Sequence, residues 1–264
     1  MSPQKTDNDF PWWLVILGVT GLWLLWRMLA DPDYSAAVPV LAKGLGVTIM
    51  VTLVAFAGAA ILGLGLALAQ LSRHIALRQA ARLYVEVMRG IPIMVLLLYI
   101  AFVAVPIGVE AWNALTGWTG IDPLRTRDVP LLWRAIAALM LAYASFLAEV
   151  FRAGILSVDQ GQIEAAKALG LRPMQVFRHI VWPQAMRNVL PPLGNDFVAM
   201  VKDSSLVSVL GVADITQLAK LTAAANFRYL ETYNVVALIY LTVTIGLSLL
   251  LRKFEQHLRA RAAR

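Results

Sequence analysis

The chain has 264 residues, of which 59% are hydrophobic and only 15% charged, and its mean hydropathy is +0.70. This composition excludes a single soluble domain, whose water-facing helices need far more polar surface, and places the chain in a bilayer. The formal charge of +7 leaves open how the charges divide between the loops, and the absence of cysteine excludes disulfide scaffolds, thiolate metal sites and thiol catalysis.

Six apolar runs along the chain are candidates for transmembrane helices, which need about 20 mostly apolar residues. They cover residues 10–26, 44–72, 90–109, 131–151, about 188–212 and 232–251. The run 44–72 is longer than the bilayer is thick, so it must tilt or project. The run 188–212 is exceptional because Asp196, Lys202 and Asp203 interrupt it.

The first run has two interpretations, a cleaved signal peptide and an uncleaved helix. A signal peptide needs a basic leader, but the leader here carries Lys5 against Asp7 and Asp9. We therefore expect an uncleaved transmembrane helix.

The basic residues are divided unequally between the two sides that these runs define. Fifteen of the 23 Lys and Arg residues fall on the side that holds both termini, residues 73–89 and residues 152–187. The positive-inside rule makes that side cytoplasmic. The net charge is therefore explained by membrane topology, and nucleic acid is not an expected partner.

Residues 152–187 are the only sizeable segment predicted on the cytoplasmic side. Three apolar residues there follow helical spacing, namely Ile163, Ala166 and Leu169. Gly170 suits the end of this helix, Pro173 suits the first turn of a second short helix, and Pro183 is predicted to end that second helix. The segment is predicted to be a helix, a turn and a helix lying under the membrane.

Charged residues inside a span cost at least about 2.5 to 3.5 kcal/mol on insertion scales, so they should face a partner or a water-filled cavity. Lys202 and Asp203 are neighbours in sequence and point about 100° apart on a helix, so they cannot fully neutralise each other. Three interpretations remain open: contact with the two charges of an amino acid, a gate in the pathway, or an interface pair near the membrane edge.

Other polar residues in the spans are ambiguous. The hydroxyls of Ser204, Ser205 and Ser208 can line a polar path or bond to their own helix. For Asn195 and Asp196, a gating role competes with a buried turn or a helix cap. A local ion pair explains Glu149 and Arg152, and Tyr143 and Ser145 are candidates only if they face the cavity.

The chain resembles the permease subunits of ATP-binding-cassette importers. Glu164, Ala165, Ala166, Gly170, Ile180 and Pro183 have the spacing of the family's EAA loop, although Trp182 stands where the pattern usually has leucine. The stretches GQIEAAKALGL, YVEVMRGIP and LPPLGNDFVAMVKDSSLVSVLGV are similar to the polar amino acid subfamily, which takes up histidine, glutamate, glutamine, arginine and opines. The resemblance extends over roughly residues 44–255.

The resemblance implies an all-α integral membrane protein with a type I importer fold, a five-helix core and one extra N-terminal helix. The implied division is a leader and extra helix in 1–30, a permease domain in 43–255 that contains the coupling loop 152–187, and a basic tail in 256–264. The implied location is the bacterial plasma membrane, crossed several times, with both termini cytoplasmic.

The resemblance also implies the partners. A dimer of cytoplasmic ATPases would bind ATP and Mg²⁺, while this chain would bind no cofactor and catalyse no reaction. A second permease subunit, identical or homologous, would complete the pathway in the surrounding lipid, and a binding protein would deliver a polar amino acid.

The same resemblance implies a role in ATPase coupling for Glu164, Ala165, Ala166, Gly170, Ile180 and Pro183. Small alanines allow a helix to seat closely in a groove, and Glu164 could pair with an arginine of the ATPase. On its own, Glu164 is better explained as a solvated acid in the first turn of a helix, and only the full spacing favours docking. The candidate pathway or gate residues are Lys202, Asp203, Ser204, Ser205, Asn195, Asp196 and Tyr143.

Two other functional classes were weighed. An ion-coupled secondary transporter or channel predicts inverted repeats or discontinuous helices, and the sequence has no internal repeat. An intramembrane enzyme needs a nucleophile and a base, or a metal cluster. With no cysteine and three distant histidines, His74, His179 and His257, the enzyme has little support.

Overall fold

The computed structural model describes residues 12–262, and every regular element among them is helical, with no β-strand. The α-helices, in chain order, are α1 Trp12–Ala30, α2 Pro32–Gln70, α3 Ile75–Gly90, α4 Ile93–Tyr99, α5 Val105–Thr116, α6 Leu131–Leu156, α7 Gln160–Ala168, α8 Pro173–Val176, α9 Trp182–Asp203, α10 Ile215–Asn226 and α11 Tyr229–Ala262. Two π turns, Ile100–Ala104 and Phe177–Val181, and two 3₁₀ segments, Thr126–Asp128 and Ser204–Leu210, complete the regular structure.

Four of the described helical segments are long and apolar enough to cross a membrane. They are Pro32–Gln70, Ile93–Thr116, Leu131–Leu156 and Tyr229–Phe254, which correspond to four of the six predicted runs. The prediction of an all-α membrane protein is therefore confirmed. The first predicted run begins at Phe10, outside the described residues, and its described part is α1.

Helix α2 begins twelve residues before the predicted start at Gly44. The side chain of Asp31 accepts a hydrogen bond from the backbone N–H of Asp33 and Pro32 occupies the first turn, so the helix is capped there. Lys43, the charged residue just before the predicted run, is exposed to the outside and is itself part of the helix. With 39 residues, α2 is about 58 Å long and extends beyond a bilayer, as predicted.

The predicted run 188–212 is not one continuous α-helix. Helix α9 ends at Asp203, a 3₁₀ segment continues to Leu210, and Gly211 ends it with a φ of +77°. This region is not among the four apolar segments, since α9 carries Arg187, Asp196, Lys202 and Asp203. The charges that interrupted the run in the sequence thus coincide with a change of helix type.

Helices α2 and α6 pack in parallel in the centre of the bundle. A β-carbon added at Gly63 would lie 2.9 Å from Leu147 Cβ, and one added at Gly58 would lie 2.4 Å from the sulfur of Met140. Only glycine allows the two backbones to come this close. The end of the bundle that holds Gln70, Leu156 and α7 is called the α7 end below.

The remaining long helices pack around this pair. Helix α9 lies against α6, where a β-carbon on Gly154 would come 2.3 Å from Val189 Cγ2. Helix α11 in turn lies against α9, with Leu251 over Gly194. The main contacts of helix α1 are with α2 and α11, and its described part lies at the edge of the bundle.

Candidate functional site

Helix α7 has a defined stop at each end. The carboxylate of Asp159 accepts a hydrogen bond from the N–H of Gln162 at 3.2 Å, which caps the first turn. At the other end Gly170 has a φ of +80°, and the N–H groups of Gly170 and Leu171 donate to the carbonyls of Lys167 and Ala166. This paired arrangement is the Schellman motif, so the predicted helix and its stop at Gly170 are confirmed.

Contacts with α8, the π turn Phe177–Val181 and α9 hold α7 against the bundle. Ala166 is 4% exposed and packs in a small core with Val158, Val176, Val181 and Ala185. The amide of Gln184 on α9 donates to the side-chain oxygen of Gln162 at 2.5 Å. Asn188 on α9 donates to the hydroxyl of Ser157, the residue after α6, at 2.7 Å.

These contacts show that one residue predicted to face the ATPase faces the protein instead. Ala166 was grouped with Ala165 as part of a surface that seats in a groove of the ATPase, but its side chain faces the chain's own core. Ala165, about 100° around the helix from Ala166, is exposed. The contribution of Ala166 is therefore to fix α7 to the bundle.

The prediction that Pro183 ends a second short helix is wrong. Helix α8 begins at Pro173 as predicted, passes through the π turn Phe177–Val181 and continues without a break into α9. In a regular α-helix a proline ring clashes with the carbonyl four residues earlier, here that of His179. His179 lies in the π turn, which widens the helix at that point and accommodates Pro183.

The outer surface of this segment carries the predicted acid and two residues that the sequence pattern missed. Glu164, Ala165 and Gly170 are exposed, as are Leu169 and Met174, whose side chains are 83% and 73% exposed. Leu169 was assigned to the same stripe as Ile163 and Ala166. However, each step of three residues turns a helix position back by about 60°, so Leu169 lies about 120° from Ile163. Applying the helical period of about 100° per residue strictly would have placed Leu169 outside the stripe of Ile163 and Ala166.

Helix α9 carries its polar residues in two stripes. Asn195 and Lys202 are exposed, while Asp196 and Asp203 are half-buried. Residues seven apart on a helix are separated by about 700°, so the members of each pair lie nearly above one another. Asn195 and Asp196 are the fourteenth and fifteenth of 22 residues in α9, which excludes the helix-cap interpretation for both.

Asp203 is bonded to the middle of α6. The hydroxyl of Tyr143 donates to Asp203 Oδ2 at 2.7 Å. Tyr143 is twelve residues from Leu131 and thirteen from Leu156, so this contact lies midway along a helix of about 39 Å. Lys202 forms no ion pair with Asp203 among the described residues. The pair therefore lies near the middle of the bundle, level with the centre of α6.

Other hydroxyls near this site are bonded locally. Ser204 and Ser208 donate to the carbonyls of Val201 and Ser205, both at 2.7 Å, so their hydroxyls bond to their own helix. Ser145 likewise donates to Ala142 in its own helix, unlike Tyr143. The side chain of Ser205 is half-buried.

The predicted ion pair of Glu149 and Arg152 is confirmed, with Arg152 donating to Glu149 Oε2 at 2.6 Å. Among the side chains that the structure describes, no group of three or more His, Asp or Glu residues is arranged to hold a metal ion. The candidate site therefore has two parts, a fixed surface helix and a polar site in the bundle. Helices α6 and α9 connect these two parts.

The chain matches a known protein family and several of its members. Residues 59–260 match the family described as the binding-protein-dependent transport system inner membrane component. The glutamine transport system permease protein GlnP of Escherichia coli (strain K12) is 35% identical over 235 residues, which are 86% of this chain and 98% of that protein. The probable amino-acid permease protein YxeN of Bacillus subtilis (strain 168) is 35% identical over 84% of this chain and 92% of its own length.

Solved structures are similar as well. A chain of an amino acid ABC transporter crystallised with histidines superposes with a TM-score of 0.70 at 34% identity, over 83% of this chain and 94% of that one. The MetNI methionine ABC transporter, in an inward-facing form, has a TM-score of 0.65 at 19% identity over 83% of this chain and 96% of that one, a likeness of fold alone.

Proposed function

Because the chain belongs to the family of inner membrane components of binding-protein-dependent transport systems, we propose that it is the permease of an ATP-driven importer of polar amino acids. It has the fold of a type I importer transmembrane domain and is a multi-pass inner membrane protein without catalytic activity of its own. Relatives that are named as permeases for glutamine, arginine and L-cystine support a polar amino acid as the substrate.

The observation that carries the proposal is the way α7 is fixed at the surface. An ATPase that closes on ATP and Mg²⁺ must push on a rigid element if its movement is to reach the pathway. Helix α7 is capped at both ends and held against α8, the π turn and α9, which form one continuous helix that ends at Asp203, and Asp203 in turn bonds to Tyr143 of α6. A force applied at α7 would thus be passed directly to the polar site.

The surface that would receive the ATPase combines one charge with apolar contact area. Glu164 provides a carboxylate for a basic residue of the ATPase, since charge-assisted hydrogen bonds are the stronger ones. Leu169 and Met174 project from either side of the Gly170 turn and offer apolar area to a groove. In this proposal Gly170 permits the turn, and Ile180 and Pro183 belong to the helix that links this surface to α9.

The pathway would run beside the polar stripes of α9. An amino acid carries an ammonium and a carboxylate, for which the side chains of Asp203, Asp196 and Lys202 are complementary. Lys202 and Asn195 are exposed on the surface of this single subunit. A charged surface in the middle of a membrane should face water or protein, so a second permease subunit, identical or homologous, would enclose it.

The orientation follows from the same proposal. The α7 end would be cytoplasmic, together with both termini, and a binding protein would deliver the amino acid at the opposite end. The excess of basic residues on the α7 side supports this orientation through the positive-inside rule.

Reconstitution tests the proposal. The permease would be placed in lipid vesicles with its ATPase and its binding protein, and uptake of a radiolabelled amino acid measured with and without ATP inside. We expect uptake only with ATP, and the variant Glu164→Arg should lose most of it, because the reversed charge repels the basic partner. Glu110→Arg is the matched control, since Glu110 is also exposed but lies at the other end of the bundle. Uptake that persists without ATP hydrolysis would contradict the proposal and favour an ion-coupled transporter.

A further inference from the structure

Helix α3, Ile75–Gly90, has three distinct faces and is part of neither the α7 surface nor the polar site. At about 100° per residue, its 16 residues divide into a face against the protein, an exposed apolar face and a basic face, on which Arg82 is exposed and Arg78 half-buried. A helix buried in the interior of a protein is apolar on every side. A helix on the surface of a protein in water has one apolar face, which packs on the core.

The first face attaches α3 to the bundle. Ala81 and Val85 are 4% and 2% exposed. The hydroxyl of Tyr84 donates to the carbonyl of Leu141 on α6 at 2.9 Å. Burial raises the pKa of Tyr84 to about 12, so this hydroxyl remains a donor at any physiological pH.

The second face is apolar and uncovered. Leu83 and Val87 are 65% and 45% exposed; Ala76, also exposed, lies between them around the helix, and the exposed Ala80 lies just beyond Val87. These four positions occupy a sector of about 60°. Apolar area of this kind is not stable against water unless something covers it.

The third face is basic. Arg78 and Arg82 lie next to each other on the helix, one turn apart. Within residues 12–262 neither of them has an ion-pair partner, although Glu86 follows Arg82 by one turn. Arg89, on the same side, lies 5.9 Å above the ring of Phe146 on α6. Two guanidinium groups are therefore free to bind an anion.

The position of α3 in the chain identifies what covers it. It follows the membrane-spanning segment Pro32–Gln70 and precedes the segment Ile93–Thr116, so the chain turns back across the membrane through α3. The bond of Tyr84 to Leu141 holds its C-terminal half beside the middle of α6, and its first turns, which carry Arg78 and Arg82, follow the end of the preceding span at the membrane surface. At that level hydrocarbon, phosphate headgroups and water are all within about 10 Å of one another. A helix with one apolar face and one basic face matches that order of layers.

We propose that α3 is an interfacial helix that binds the anionic phospholipids of the leaflet at the α7 end. Leu83 and Val87 insert among the acyl chains, and Arg78 and Arg82 bind the phosphate groups of lipids such as phosphatidylglycerol. The proposal concerns a lipid site on this chain alone and does not depend on the transported substrate.

The absence of cysteine from the chain allows a direct test of the depth of α3. Single cysteines would replace Leu83, Val87, Gln79 or Arg82 in the full chain, which is then spin-labelled and placed in lipid discs. We expect labels at 83 and 87 to collide with oxygen, which dissolves in lipid, and labels at 79 and 82 to collide with a water-soluble nickel complex. Labels at 83 and 87 that meet the nickel complex, or neither reagent, would overturn the proposal, because the face would then contact water or another protein.

A second measurement tests the preference for anionic lipid. A fluorophore at Gln79→Cys would be quenched by nitroxide-labelled phosphatidylglycerol or by nitroxide-labelled phosphatidylcholine, each present in small amount in phosphatidylcholine discs. Each arginine at an anionic surface strengthens binding roughly fivefold. The double variant Arg78→Gln and Arg82→Gln should therefore lower the preference for phosphatidylglycerol about 25-fold, while Arg127→Gln, at the other end of the bundle, should not change it. Equal quenching by both lipids before any arginine is replaced would overturn the proposal.

Discussion

The hydrogen bond between Tyr143 and Asp203 connects α6 to the charged end of α9, and it can be removed with little other change. The substitution Tyr143→Phe deletes only the hydroxyl that donates to Asp203 Oδ2 at 2.7 Å. The ring of Tyr143 is 3% exposed and would keep its packing in the core. Asp203→Ala removes the acceptor, and the double variant completes a thermodynamic cycle.

Two estimates limit the expected coupling. Hydrogen bonds to charged groups contribute about 1.5 to 3 kcal/mol in soluble proteins. Hydrogen bonds between helices in a membrane average about 0.6 kcal/mol and reach about 1.7 kcal/mol, because the separated helices find other partners. Asp203 is half-buried and charged, so we expect a coupling free energy of about 1 to 2 kcal/mol.

The free energy of unfolding would be measured for the four proteins in detergent micelles titrated with a denaturing detergent. Ser145→Ala combined with Asp203→Ala is the control cycle, since Ser145 bonds to its own helix and should show no coupling. Transport should fall about five- to thirtyfold in Tyr143→Phe if the bond holds Asp203 in its working position. Additivity of Tyr143→Phe and Asp203→Ala within about 0.3 to 0.5 kcal/mol would refute the reasoning.

Three further predictions concern helix contacts, the α7 cap and the pathway. Gly154→Ala should destabilise the fold by about 1 to 3 kcal/mol in the same unfolding assay, because the new methyl group would lie 2.3 Å from Val189 Cγ2. Adding Val189→Ala should relieve the clash, and Gly65→Ala, with no neighbour within 4 Å, should not destabilise. Asp159→Ala should lower the stability of α7 by about 1 kcal/mol and lower the amount of amino acid transported per ATP hydrolysed, because the helix loses its cap. Asp159→Asn keeps the cap and should change neither. Equal transport per ATP in both variants would contradict a rigid α7. Lys202→Ala should lower transport without changing the thermal stability of the purified protein, and unchanged transport would limit Lys202 to a structural role.

The local structure of the α7 segment could be predicted because its causes are local. The cap at Gly170 depends on residues 166 to 171, and glycine is the residue that adopts a positive φ there without strain. The start of α8 at Pro173 is equally local. The continuation of the helix through Pro183 was not predictable from the proline alone, because it depends on the π turn Phe177–Val181 that accommodates the proline ring.

Long-range contacts account for the rest of the site. Tyr143 and Asp203 are 60 residues apart, and only the packing of α6 against α9 brings them within hydrogen-bond distance. The buried position of Ala166 depends in the same way on residues of α9 and the π turn. No periodicity within one helix carries this information.

The sequence by itself determined the environment of this protein, its apolar spans, the distribution of its charges and the caps of α7, because each depends on composition or on residues within about one helical turn. The tertiary structure alone decided that Asp203 bonds to the middle of α6, that Lys202 is left exposed beside it, and that α3 has a free apolar face next to a free basic face. The physical reason is that a side chain's partner is set by which helices pack together, and in this bundle close approaches at Gly63 and Gly154 fix that packing.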